Sequence, residues 1–274
     1  MRKFAASCCR TALLLTLLCA VSGCQQTSYR LDTRHRATNQ DSRARFLILH
    51  YTRMDETGSL HTLTAAESGV SAHYLVGLPQ AHHPVTVYAL VAETARAWHA
   101  GRSGWGEEQS LNAASIGIEL VNEGPLGPLN DDDWCAGQWA PWPDAQIRAL
   151  AELIQPLLAR QQIPPSRVLG HSDIAPGRKI DPGARFPWRQ LHDQFGIGRW
   201  PDETAVADYL RAHPSPPDPQ QLLADLQRFG YALNGDATSR RLIQAFQLHF
   251  RPARCDGRPD AETMARLQIL LQQP

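Results

Sequence analysis

Apolar residues first run together without a break at Phe46-Leu47-Ile48-Leu49, a pattern that predicts a strand buried on both faces and ending in His50-Tyr51-Thr52. Similar runs at Val85–Val91 and Ser115–Val121 predict two more strands. Residues 145–160 change period. Ile147, Leu150, Ala151, Ile154, Leu157 and Leu158 recur at helical spacing, with Asp144 as the expected cap and Pro156 as an expected kink or break. Arg167–His171 reads as a short strand that ends in a histidine. Strands and a helix in this order predict an α/β domain with a mixed sheet up to about residue 200. A proline-rich connector follows between Arg211 and Pro219, with Asp218-Pro219 suited to starting a helix. Three short helical patterns close the chain: Leu222/Leu226/Phe229, Leu242/Ile243/Phe246/Phe250 and Met264/Leu267/Leu270. They predict a small three-helix domain over 201–274.

The amino-terminal pattern is different. Arg2, Lys3 and Arg10 precede an apolar run from Ala12 to Val21, which is short for a membrane span. Val21-Ser22-Gly23-Cys24 then resembles a bacterial lipobox, with cleavage after Gly23 and lipid on Cys24. An ordinary signal peptide is the plainer alternative. Gln25 after the cysteine fits sorting to the outer membrane, and the periplasm-facing location follows from it. Residues 24–42 are polar and without apolar period, as a flexible tether would be.

The 274 residues are 43% hydrophobic and 20% charged, an ordinary globular balance. Basic and acidic residues number 27 each, so no broad basic face is indicated and nucleic acid is not an expected partner. Loss of residues 1–23 takes Arg2, Lys3 and Arg10 with it and leaves a net charge of −3. It also removes Cys8, Cys9 and Cys19 of the six cysteines, and lipid would block Cys24. Cys135 and Cys255 remain, either bridged in an oxidising compartment or as two free thiols. Nothing in the pattern demands an oligomer, so a monomer is expected.

Among eleven histidines, His50 and His171 stand at the ends of predicted strands, where α/β sites form. The loop after His171 carries Asp173, Lys179 and Asp181. Two imidazoles and a carboxylate make a three-ligand set that leaves one position open on a catalytic Zn²⁺. Glu119, near the end of a third strand, is the candidate general base. Polar strand ends and loop charges alone would leave the same pattern. Asp131-Asp132-Asp133 reads as a solvated loop, and Trp134, Trp139 and Trp142 either stack on sugars or cap the sheet.

Four segments in order carry a resemblance: Ile48–Thr52, Ala97–Gly101, Asn112–Leu120 and Gly170–Gly183. Together, over about 43–200, they resemble the AmpD/AmiD-type N-acetylmuramoyl-L-alanine amidases of the amidase-2 group. The resemblance implies a central mixed β-sheet flanked by helices, the fold shared with peptidoglycan recognition proteins. It implies zinc held by His50, His171 and Asp181, with Glu119 and Lys179 as the catalytic pair. Trp98, His99, Arg102 and Asn112 fall where such enzymes line their substrate cleft. Gly230-Tyr231, Ala245-Phe246-Gln247, Asp256-Gly257 and Asp260–Thr263 resemble a peptidoglycan-binding-like domain, which would grip the wall or only brace the enzyme. The lipobox with both domains resembles the outer-membrane lipoprotein branch. Peptidoglycan or muropeptides are then the expected partners, with the membrane reached through Cys24. The rival reading is a wall-binding lipoprotein that recognises muropeptide without cutting it. The absence of HExxH excludes the common helical zincin site.

Overall fold

The computed structural model describes residues 28–233 and 238–273. The expected signal peptide and Cys24 lie outside the described residues. Residues 28–40 belong to a unit of their own and contain no helix or strand. Everything from Asp41 onward forms one compact unit.

That unit is built on a five-stranded mixed sheet. Its strands are β1 (Phe46–Tyr51), β2 (Tyr74–Val76), β3 (Val87–Ala89), β6 (Ser115–Leu120) and β7 (Val168–Gly170), in the order β3-β2-β6-β1-β7. β1 runs parallel to β6 and β7, β2 runs parallel to β6, and β3 is antiparallel to β2. A separate two-stranded ribbon pairs β4 (Gly104–Trp105) with β5 (Glu108–Gln109). The strand expected over 85–91 shrinks to three residues, since β3 is an edge strand with one neighbour.

The period of two sorts the side chains. Leu47 and Leu49 of β1, with Ile116, Ile118 and Leu120 of β6, enter the main core with the long helix α2 (Asp144–Gln161). Phe46 and Ile48 join a second cluster with Ala100, Leu111, Leu169 and Ile174 on the opposite face. His50 continues the second series, and Glu119 falls on the same alternation beyond Ser115 and Gly117.

Two local expectations need correcting. Asp144 is the first residue of α2 rather than its cap, because Pro143 holds the N-cap position with extended backbone. Pro156 does not break α2. Pro156 and Glu152 both lie on the exposed side, where water can reach the carbonyl that loses its partner. Burial of Ile147, Leu150, Ile154 and Leu157 at roughly 1.5–3 kcal/mol each outweighs the proline penalty of about 3 kcal/mol.

Helices α1 (Glu56–Thr64), α4 (Trp188–Phe195) and α5 (Glu203–Ala212) add to those the pattern predicts, along with a single turn α3 (His171–Ile174). Ordered packing starts before Phe46: Arg43 donates to the carbonyls of Ala113, Ser115 and Glu93.

The three carboxy-terminal helices are α6 (Pro219–Phe229), α7 (Ser239–Phe250) and α8 (Ala261–Gln272). Asp218 caps α6 with Pro219 in its first turn, as the sequence suggests. These helices share one contiguous core with the sheet: Leu222, Leu226, Leu242, Phe246 and Leu267 join Val168, Trp188 and Trp200. Cys135 and Cys255 are joined in a disulfide, settling the choice between bridge and free thiols. The aspartate run is a docking loop. Asp131 and Asp132 pair with Arg241 and Arg240, and Asp133 accepts from the N–H groups of Cys135 and Cys255. Trp134 and Trp139 are buried beside the disulfide and cap the structure there. No helix among the described residues is long and apolar enough to cross a membrane.

Candidate active site

Parallel strands deliver the chemistry to one end of the sheet. His50 and Glu119 are register partners near the ends of β1 and β6. His171 opens α3 directly after β7, and the backbone N–H of Ser172 in α3 donates to the carbonyl of Asp181 at 2.9 Å. One turn of helix therefore holds two candidate ligands in fixed relation.

His50 Nδ1 and His171 Nδ1 are 2.9 Å apart, and each is 3.0 Å from the same Asp181 oxygen, Oδ2. All three residues are buried. These separations approach the roughly 3.3 Å expected between ligands set tetrahedrally around zinc at about 2.0 Å. Two imidazole nitrogens and a carboxylate are also the donor set zinc favours, so the residues fit the ion.

The outward nitrogens are committed. His171 Nε2 donates to the carbonyl of Ala100 at 3.1 Å. His50 Nε2 lies 3.0 Å from His99 Nδ1, and His99 Nε2 lies 3.2 Å from the Ser115 hydroxyl, which donates to the Leu111 carbonyl. The chain has one consistent proton order with His50 Nδ1 left free for a metal. His50 Nε2–H donates to His99, His99 Nε2–H donates to Ser115, and Ser115 donates to the backbone. Partners of this kind fix the tautomer and orientation of a ligand histidine. Burial and the neighbouring His171 push the His50 imidazole down to about 4, so the ring is neutral, as a ligand must be. Burial pushes the Asp181 carboxyl up, but His171 and His50 outweigh it and hold the group well below the usual carboxylate range.

Glu119 behaves in the opposite way. Burial, then the charge of Asp181, push its carboxyl up to about 8, with Lys179 opposing. Its Oε2 has no hydrogen-bond partner among the described residues. At that value the carboxyl holds its proton near pH 7, and a cation held by His50, His171 and Asp181 would draw it down toward the range where a carboxyl both takes and returns a proton. Glu119 and Lys179 line a groove of about 470 Å³ together with His171 and Asp181. Tyr51, Met54, Val70 and Trp98 supply its apolar and aromatic side.

The structure thus brings His50, His171, Asp181, Glu119 and Lys179 together. Trp98 joins the groove wall with 53% of its surface exposed. His99 touches the groove but is buried, and its two nitrogens face His50 and Ser115. Asn112 stands behind the groove. Its Oδ1 accepts from the N–H groups of His99 and Ala100, so it shapes the loop that carries His99. Arg102 is exposed and outside the groove lining; its carbonyl accepts from Arg178. Arg178 was not anticipated. It lines the groove and donates to the carbonyls of Ala100 and Arg102. Its place inside the Gly170–Gly183 segment is the only signal the sequence offers.

Comparison with known proteins points to one family. The Amidase_2 family, described as N-acetylmuramoyl-L-alanine amidase, matches residues 40–184. The chain is 44% identical over 259 residues to N-acetylmuramoyl-L-alanine amidase AmiD of Escherichia coli K12, covering 90% of each protein. The solved complex of that E. coli enzyme with anhydro-N-acetylmuramic acid-L-Ala-D-gamma-Glu-L-Lys aligns with a TM-score of 0.79, over 89% of this chain and 95% of the other. AmpDh3 of Pseudomonas aeruginosa in complex with anhydromuramic pentapeptide is 37% identical, with a TM-score of 0.74 over 89% of this chain and 97% of that one. On the sheet, the site and these similarities, the chain belongs to the Amidase_2 family of N-acetylmuramoyl-L-alanine amidases.

Proposed function

We propose that this amidase is zinc-dependent and cuts the amide between the lactyl group of N-acetylmuramic acid and L-Ala of the stem peptide, in peptidoglycan or its soluble fragments. The observation that carries the reading is the trio His50 Nδ1, His171 Nδ1 and Asp181 Oδ2, mutually 2.9–3.0 Å apart, two of whose members, His171 and Asp181, line one groove with Glu119.

When bound by His50, His171 and Asp181, zinc would acidify a water and polarise the amide carbonyl. Glu119 takes the proton of the attacking water and returns it to the departing amine of L-Ala. Lys179 offers its ammonium to the oxyanion that forms as the carbonyl becomes tetrahedral. Trp98, Met54 and Val70 give the groove an apolar side against which sugar or stem peptide can lie. The relatives solved with anhydromuropeptides support substrates of that class. The five chemical residues weigh against a binder without turnover.

The proposal extends to place. Cys24 carries lipid, the protein sits in the outer membrane facing the periplasm, and the carboxy-terminal helices touch the wall. The Cys135–Cys255 disulfide supports an oxidising compartment.

Incubation with a defined muropeptide, with and without chelator, is the test. Release of free stem peptide with L-Ala at its new amino terminus, lost with chelator and restored by Zn²⁺, is the expected mass-spectrometric result. A folded, zinc-loaded protein that releases nothing would return the weight to binding alone.

A further inference from the structure

Asp173 lies two residues beyond His171 and is fully buried. The mechanism above gives it no role, yet its carboxylate takes three short hydrogen bonds. Oδ2 accepts from the Gly170 N–H at 2.7 Å and from His249 Nδ1 at 2.7 Å. Oδ1 accepts from the Tyr231 hydroxyl at 2.6 Å. Only the first donor belongs to the sheet domain. Tyr231 follows α6, and His249 lies in α7.

Both outer donors are themselves held. The His249 ring stacks between Trp188, at 3.8 Å, and Phe250, at 3.9 Å. Tyr231 packs edge-on against Trp105 at 4.9 Å and pairs with it through a backbone bridge. α3 is a single turn, too short to be stable alone, so its geometry comes from what it docks against. A carboxylate removed from water is tolerated only when its lone pairs are met, which makes each of these donors matter. α3 in turn sets His171 directly and Asp181 through the Ser172 N–H.

We propose that Asp173, Tyr231 and His249 form a buried clamp by which the carboxy-terminal helices position α3, and with it two of the three metal ligands. The inference rests on the zinc reading above. Tyr231 and His249 are positioning residues; neither touches the groove. The carboxy-terminal segment is thereby part of the metal centre's support, whatever else its outer face binds.

The test measures zinc affinity by competition with a chromophoric chelator, beside thermal unfolding of the metal-free protein and kcat and KM on a muropeptide. Tyr231→Phe keeps the ring and removes one donor. His249→Phe keeps the stack and removes the other. His249→Asn keeps an N–H near the position of Nδ1. Leu270→Ala, in the core of α8, serves as a purely destabilising control. The two donor-less variants are expected to bind zinc about tenfold more weakly, the low end for partners outside the ligand shell. They should lose kcat with KM unchanged, and His249→Asn should recover most of the affinity. Leu270→Ala should lower the melting temperature and leave zinc affinity alone. Unchanged zinc affinity in both donor-less variants, or an equal loss in Leu270→Ala, would reduce the trio to ordinary packing and overturn the clamp. A wild-type protein that binds no zinc would overturn the metal reading itself, a result separable from the first.

Discussion

Gly117 occupies the middle of β6 with His99 laid across it: a Cβ there would come within 2.3 Å of the imidazole. Gly117→Ala must therefore push His99 away from His50. Loss of such a partner typically weakens metal binding 10- to 100-fold, which chelator competition would read, with a much smaller change in melting temperature. Glu119→Ala separates two functions in the other direction. Zinc should stay bound while turnover falls by about 10²–10⁴, the usual contribution of a positioned proton acceptor; near-normal turnover would remove Glu119 from the base role. The candidates at strand ends were legible because position along a strand is written in the local pattern. That pattern singled out His50, Glu119 and His171 as candidates, and their roles came from the four-segment resemblance. The true surroundings of His99 were not legible, since they depend on β1 and β6 lying side by side and on both rings facing the same side of the sheet. Asp173, Tyr231 and His249 were beyond reach for the same reason, being 58 and 76 residues apart.

At the level of elements, the strongly periodic segments were readable and the contact-dependent ones were not. β1, β6 and α2 each bury a continuous face and show it in sequence. α1 has only two buried residues, Ser59 and Leu63, and owes its start to the Asp55 cap on Gly58 N–H. Such a helix leaves little apolar period to read. One junction between elements carries a pH signature. Arg160 near the end of α2, with donors from Tyr74 and Gln161, holds the Glu93 carboxyl down to about 2 against burial. The folded value lies below the unfolded one of 4.5, so this group stabilises the fold above about pH 4.5 and ceases to as pH falls toward 2. With Arg160 partly exposed, about 1–2 kcal/mol is a fair magnitude. Glu93→Gln should lower the unfolding free energy measured by urea titration at pH 7 by that amount, and the gap from wild type should narrow between pH 4.5 and 3. A gap independent of pH would assign the loss to packing instead.

Across the whole molecule, the boundary drawn at residue 200 marks a change of architecture but no break in packing. The sequence showed the three final helices correctly and could not show that their apolar faces meet Val168 and Trp188 of the sheet domain. The disulfide reinforces the same junction across 120 residues. Cys255→Ser should cost about 2–4 kcal/mol in denaturant unfolding, since the bridge restrains a long loop in the unfolded chain. Truncation before Pro214 goes further. It strips the apolar cover from Val168, Trp188 and Trp200 and removes both outer donors to Asp173. A detachable wall-binding module would leave muropeptide cleavage intact and lose only sacculus binding. The shared core predicts instead that the shortened chain loses cooperative unfolding, zinc affinity and cleavage of small muropeptides together with wall binding. Wall contact is then better probed by substitutions on the exposed faces of α6 and α8 that leave the melting temperature unchanged. A truncated chain that unfolds cooperatively and cleaves at the wild-type rate would show that the helices are an appendage after all, and that α3 finds its geometry without them.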